Sequence, residues 1–184
     1  MGYNQANITI TTDRLILRLF QKADAEVVAK LCNNYNIYKS TLSLPYPYKV
    51  EDALTWIEYH YDNFIEDRSY EFAVTDKKTN EIYGGIALSS NKQFNQGELA
   101  YFIGEPYWGK GYATEAAQAM VQFAFEEKKL HKVFARYFAT NPASGKVMEK
   151  IGMVREGVLK EHIVKDGKYE DLVHYGIINS LQHN

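Results

Sequence analysis

The chain has 184 residues, 46% of them hydrophobic, enough for one well-buried core but few for two, so a single domain over 1-184 is expected. A formal net charge of -2 supplies no global positive field, and neither nucleic acid nor an anionic membrane is an expected partner. One cysteine, Cys32, forms no internal disulfide, and the five histidines (His60, His131, His162, His174, His183) show no metal-ligand spacing with cysteine or acidic residues, so no metal is expected. The stretch Met1 to Asn7 is polar, without an apolar core behind a basic stretch, and no later segment is apolar for long enough to cross a bilayer. A soluble, cytoplasmic protein is expected.

No linker, low-complexity tract or repeat interrupts the chain, so its elements should share one core. Arg14 to Leu19 reads as a strand, and Lys22 to Asn33 sets Ala25, Val28, Leu31 and Cys32 on one helical face. After a loop marked by Pro45 and Pro47, Glu51 to Ile65 reads as a second helix. Three strands follow, Tyr70 to Thr75, Glu81 to Ser89 and Glu98 to Ile103, separated by turn-rich stretches that suit an antiparallel meander. Thr114 to Glu127 places Ala117, Met120, Val121, Ala124 and Phe125 at amphipathic-helix spacing.

His131 to Thr140 reads as a buried, parallel strand. Asn141 suits a helix N-cap, Pro142 the first helical position and Gly152 the residue past the end. Val154 to Val164 and Tyr169 to Ile178 flank Asp166-Gly167, a type I′ hairpin signal. This mixed α/β order, with one crossover helix between neighbouring strands, excludes a doubly wound sheet.

The chemistry concentrates where the strand ending at Ile103 passes through a glycine-bearing turn into the strongest helix. Gly109 and Gly111 let backbone approach a ligand, and the N–H groups of the first helical turn, aided by the helix dipole, favour phosphate. Taken alone, a Gly-x-Gly is read as a tight strand-to-helix turn and nothing more; its context here reverses that preference. Lys110 is followed by Gly111 and Tyr112, so there is no Walker loop, and the three spaced glycines of a dinucleotide fold are missing. ATP and NAD are poor candidates.

The run Tyr107-Trp108-Gly109-Lys110-Gly111-Tyr112-Ala113-Thr114-Glu115-Ala116 resembles the acetyl-CoA pyrophosphate loop of the GNAT superfamily. That loop usually reads Gln/Arg-x-x-Gly-x-Gly/Ala; Gly111 and Ala113 fill the small positions, and Trp108 stands where Gln or Arg is usual, as in the RimJ/RimL-like branch of ribosomal-protein acetyltransferases. The resemblance runs from Thr12-Asp13-Arg14-Leu15-Ile16-Leu17-Arg18 to the Asp166-Gly167 hairpin, and Asn141 to Ser144 with Lys150 to Met153 is similar to the elements flanking the pantetheine arm. It implies a GNAT fold, an α+β architecture with a mostly antiparallel mixed sheet of about seven strands flanked by about four helices.

It also implies direct acetyl transfer from acetyl-CoA to a primary amine, which the RimJ/RimL resemblance makes a protein N-terminus. A small amine, amino acid or antibiotic as acceptor, or a CoA-binding module without catalysis, stays open, and a homodimer is compatible with the family. The resemblance gives cofactor contacts to Phe102 and Ile103 through their backbones and to the loop Trp108, Gly109, Lys110, Gly111, Tyr112, Ala113 and Thr114. It adds Asn141 and Ser144, while Lys110 and Lys146 are candidates to neutralise phosphate. Glu98, on the strand face of Ala100 and Phe102, is a candidate base, against the alternative of a solvated strand-end carboxylate, with Glu105, Glu161 and Glu170 as substitutes. Many relatives carry a tyrosine acid where this chain has Met148, which cannot donate a proton; that moves the acid role to Ser144 or water. The acceptor pocket is expected from the first two helices, the loop around Pro45 to Tyr48 and the final hairpin.

Overall fold

The computed structural model describes residues 2–180; Met1 and residues 181–184, including His183, lie outside the described part. Among the described residues nine strands form one sheet: β1 (Gly2–Asn4), β2 (Thr9–Thr11), β3 (Leu15–Leu19), β4 (Ser69–Asp76), β5 (Ile82–Asn91), β6 (Gln96–Ile103), β7 (Lys132–Phe138), β8 (Val154–Lys165) and β9 (Lys168–Ile178). Their order is β1-β2-β3-β4-β5-β6-β7-β9-β8, and every pairing is antiparallel except β6 with β7. The class is the expected one, with two more strands: the three-residue β1 and β2 are too short to carry an alternation.

The helices are α1 (Ala25–Cys32), α2 (Tyr35–Tyr38), α3 (Val50–Ile57), α4 (His60–Ile65), α5 (Tyr112–Glu126) and α6 (Pro142–Lys150). The expected helix from Glu51 to Ile65 breaks at Glu58 and Tyr59, where Tyr59 leaves helical geometry with φ -99 and ψ 1. The four-residue α2 was not anticipated; Asn34 starts it, its side chain accepting from the backbone N–H groups of Asn36 and Ile37. No helix among the described residues is long and apolar enough to cross a membrane.

The sheet is covered on both sides. Met120, Phe123 and Ala124 of α5 join Leu17, Phe72, Leu99, Val133 and Val173 in the larger core cluster. Val28 and Cys32 of α1 and Ala53 and Ile57 of α3 pack with Phe20 and Ala73 on the other side, and Phe102 is packed against this second cluster. The buried central strands therefore read as nearly continuous apolar runs rather than as a clean alternation. In the closing hairpin both Asp166 (φ 49) and Gly167 (φ 74) adopt positive φ, as a type I′ turn requires.

Candidate active site

The crossover through α5 delivers β7 alongside β6, but their ladder is short. It comprises Gln96↔Lys132, Gly97↔Val133 and Glu98↔Phe134 and then stops, while β7 stays paired with β9 as far as Phe138↔Leu172. The two strands thus diverge beyond Glu98, and the β6 edge from Leu99 to Ile103 has no ladder partner on that side among the described residues. Apart from the Ile103 carbonyl, which accepts from the Trp108 indole, the backbone N–H and C=O groups along that edge are left for a ligand.

A cavity of about 780 Å³ occupies the divergence. One end is walled by Trp108, Gly109, Gly111, Tyr112, Ala113 and Thr114, the middle by Tyr101, Phe102, Ile103, Asn141 and Ser144, and the far end by α2 and the β8–β9 hairpin tip. Gly111 initiates α5 in the left-handed conformation (φ 83), which a side chain would resist, and a Cβ added at the neighbouring Gly109 would meet nothing within 4 Å. Gly111, Tyr112, Ala113 and Thr114 put the first turn of α5 on the cavity wall, and Lys146 and Lys150, one turn apart on α6, line the same cavity.

The loop rests on an aromatic bed. Tyr83 of β5 stacks on Tyr112 (centroids 4.5 Å) and lies against Tyr107 (4.4 Å), and the Trp108 indole N–H donates to the Ile103 carbonyl at 2.5 Å. On the opposite wall, the Tyr101 hydroxyl crosses the divergence to donate to the Ser144 carbonyl at 3.0 Å, and burial pushes its pKa up to about 12, keeping the phenol protonated. Asn141 stands at the N-cap position of α6 without a side-chain cap hydrogen bond; its Nδ2 instead donates to Ser144 Oγ at 3.4 Å. The expected capping by Asn141 is thus backbone only, through its carbonyl, which accepts from Ser144 N at 3.2 Å.

Two expected site residues lie elsewhere. Glu98 is absent from the cleft lining: its carboxylate is held by Arg136, with Nε to Oε1 at 2.7 Å and Nη2 to Oε2 at 2.8 Å. It sits at the last β6–β7 pair, where β7 still runs alongside and supplies that guanidinium. Lys110 also lies outside the lining; its Nζ is over the Tyr107 ring at 5.6 Å and its carbonyl accepts from Arg14. Met148 is buried in the core.

Among the substitute acids, Glu105 is held by the side chains of Asn34 and Asn36, which lower its pKa and make it a poor base. Glu161 is exposed on a β8 bulge, whereas Glu170 lines the cleft and accepts from Thr140 Oγ1 at 3.1 Å. At the far end the hairpin tip is pinned to α2: the Tyr38 hydroxyl donates to Asp166, and Lys165 Nζ lies 3.8 Å over the Tyr38 ring and donates to the Thr41 carbonyl at 3.0 Å. Of the segments expected to form the acceptor pocket, only the hairpin lines the cleft. Neither α1, α3 nor the Pro45 to Tyr48 loop lines the cleft, and α2 with Lys39 to Thr41 takes their place.

A mostly antiparallel sheet opened at one parallel pair, with a glycine-initiated helix at one end of the opening, defines an acyl-CoA-type acetyltransferase fold. The profile of the acetyltransferase (GNAT) domain matches residues 14–154. The chain belongs to the GNAT acetyltransferase family and is an N-acetyltransferase of its RimJ/RimL-like branch. It is 30% identical to the [ribosomal protein uS5]-alanine N-acetyltransferase of Escherichia coli over 94% of this chain and 92% of that one. It is 27% identical to the spermidine N(1)-acetyltransferase of Vibrio cholerae, covering 93% and 96%. A GNAT-family acetyltransferase structure from Bacillus anthracis superposes with a TM-score of 0.81 at 29% identity, covering 94% of this chain and 99% of that one.

Proposed function

We propose that the protein transfers an acetyl group from acetyl-CoA to a primary amine held at the hairpin end of the cleft, and that the amine is a protein N-terminus. The observation that carries this reading is the divergence of β6 from β7 immediately beside the first turn of α5, with one continuous cavity joining them. In this reading the N–H groups around Gly111 to Thr114 hold the pyrophosphate, and Lys146 and Lys150 offset its charge. The open β6 edge pairs with the pantetheine arm and aims a backbone N–H at the thioester oxygen, where negative charge develops as the amine attacks.

The remaining needs are a base and a proton source. Glu170, the cleft carboxylate beside Thr140, takes the proton from the acceptor ammonium; Glu98, occupied by Arg136, is displaced from that role. As the C–N bond forms and the C–S bond breaks, the electron pair leaves with sulfur. Ser144 passes a proton to it directly or through water and regains one from the acetylated nitrogen as that becomes the amide; Asn141, donating to Ser144 Oγ, leaves the hydroxyl its own proton to give. Direct transfer in a ternary complex accords with the chain's one cysteine, Cys32, which is 1% exposed with its thiol pushed up to about 12 by burial.

For the acceptor, the support is the uS5-alanine relative and the charge of the far end, where Lys39, Lys165 and Lys168 stand with Asp166 and Glu170. Three ammonium groups against two carboxylates make a poor trough for a polycation such as spermidine. The test is mass spectrometry after incubation with acetyl-CoA, peptides with free Ala or Ser N-termini, and spermidine. Acetylated peptide with unmodified spermidine is expected. Acetylated spermidine alone would overturn the acceptor assignment, and saturable CoA binding with no transfer to any amine would favour a non-catalytic module.

A further inference from the structure

The segment Thr12 to Arg14, between β2 and β3, lies far in sequence from the loop at Gly109 to Thr114, yet four hydrogen bonds tie it there, one to Lys110 within the loop and three to Glu115 just after it. Thr12 Oγ1 donates to Glu115 Oε1 at 2.6 Å, the Arg14 backbone N–H donates to the same oxygen at 2.9 Å, and Arg14 Nε donates to Glu115 Oε2 at 2.6 Å. The other arm of the guanidinium reaches across, Nη1 donating to the Lys110 carbonyl at 3.0 Å. The guanidinium carbon also lies 4.8 Å from the Tyr112 ring centroid, and Nη2 is 3.4 Å from where a Cβ on Gly111 would be. One side chain therefore touches both ends of the turn between Lys110 and Glu115.

Two physical consequences follow from that placement. A loop whose N–H groups must converge on a ligand loses affinity in proportion to the freedom it has to give up, so a fork fastening residues 110 and 115 preorganises it. Glu115 moreover puts a carboxylate in the first turn of α5, which complements the helix dipole but repels a phosphate approaching the same turn. The Arg14 guanidinium neutralises that carboxylate without occupying the turn itself. Lysine, a point charge on a flexible stem, can satisfy Glu115 but lacks the planar fork that reaches two acceptors at once.

We propose that Arg14 is a positioning residue for the donor: it holds the pyrophosphate loop in its binding form and cancels the charge of Glu115, without touching the reacting atoms. This rests on the acetyl-CoA reading given above. The ligands that separate a positioning role from a general structural one are CoA and pantetheine, because pantetheine has the arm and thiol of CoA but no pyrophosphate.

Calorimetry for CoA and ligand-observed NMR for pantetheine, on Arg14→Met, Arg14→Lys and the unmodified protein, test the assignment. Arg14→Met should weaken CoA by about tenfold or more while pantetheine binding stays within about twofold, since the lost preorganisation and the uncancelled Glu115 charge both act on the pyrophosphate and not on the arm. Arg14→Lys should recover unfolding temperature but only part of the CoA affinity, and it carries the test if the methionine variant does not fold. Equal weakening of both ligands, no weakening of CoA, or full recovery by lysine would overturn the proposal while the unmodified protein still binds CoA. Absence of saturable CoA binding by the unmodified protein would overturn the acetyl-CoA reading, and this assignment with it.

Discussion

Glu98→Gln separates two roles for one carboxylate. As a base, Glu98 would govern turnover; as the partner of Arg136, it governs the joint between β6 and β7. Both side chains of the pair are 28% exposed, and the pair is a two-bond fork, so it is stronger than a fully solvated ion pair and weaker than a dry one. The amide keeps one acceptor for the guanidinium and loses the charge, which should cost about 1–2 kcal/mol. For a chain of this size that lowers the unfolding midpoint by about 2–8 °C. Arg136→Gln should cost a similar amount, and the double variant should cost clearly less than the sum of the two, because each single change already forfeits the shared interaction. The assay is thermal unfolding of the four proteins, together with the pH dependence of acetyl transfer by Glu98→Gln. Turnover near that of the unmodified enzyme, with an unshifted pH profile, is expected. Loss of turnover by two orders of magnitude at neutral pH, with an unchanged midpoint, would refute the reasoning and return the base role to Glu98.

Glu170→Gln should lower the turnover number by about 10²–10⁴-fold with CoA affinity retained, read by steady-state kinetics and calorimetry. Gly145→Ala should destabilise by about 1–3 kcal/mol in thermal unfolding, since a Cβ there would sit 2.6 Å from the Tyr137 hydroxyl oxygen and 2.7 Å from its ring carbon. Gly111→Ala forces a side chain into positive φ, at a cost of about 1–2 kcal/mol, and should weaken CoA binding as well as stability. His60 is 2% exposed among Phe20 and Trp56, neither ring nitrogen has a hydrogen-bond partner among the described residues, and burial lowers its pKa to about 4. Because its folded pKa lies below its unfolded value, the unfolded chain binds the extra proton between about pH 6.5 and 4, so stability falls as pH drops through that window, by roughly 1–3 kcal/mol. His60→Phe should flatten that part of the denaturation-versus-pH curve, and His174, also lowered chiefly by burial, acts in the same direction.

What could be read from the sequence was whatever depends on near neighbours. The hairpin turn was legible because Asp166-Gly167 can take the two positive φ values that a type I′ turn needs, and α5 because its apolar spacing persists over four turns. The four-residue α2 was not, although Asn34 is a good N-cap, because YNIY carries no periodicity to set against a loop. The break between α3 and α4 has neither glycine nor proline to mark it. Face alternation put Glu98 on the side of Phe102 correctly as to strand geometry, but it was blind to Arg136, 38 residues further on, whose guanidinium takes both carboxylate oxygens. The same limit hid Arg14: Thr12 to Arg14 and Glu115 are about a hundred residues apart, and only the order β3-β4-β5-β6 with α5 laid across it brings them together.

The ion pair at Glu98 also bears on why the cleft exists at all. A ligand can pair with the β6 edge only if β7 leaves it, yet a three-pair parallel ladder is a weak hold against the sheet opening further. Two features keep the divergence where it is. On the far side, β7 is locked by seven consecutive pairs to β9, from Lys132↔Ile178 to Phe138↔Leu172, so its path is set independently of β6. On the near side, Arg136 lies two residues beyond the last pairing position of β7 and reaches back to Glu98, bracing the two strands where their ladder ends. Past that brace, Tyr101 spans the gap to α6, tying the two walls without filling the space between Phe102 and Asn141. The width of the cleft is thus set by strand register and two cross-braces, and the residues free to vary without closing it are those at its far end, α2 and the hairpin tip, where the proposed function puts the acceptor.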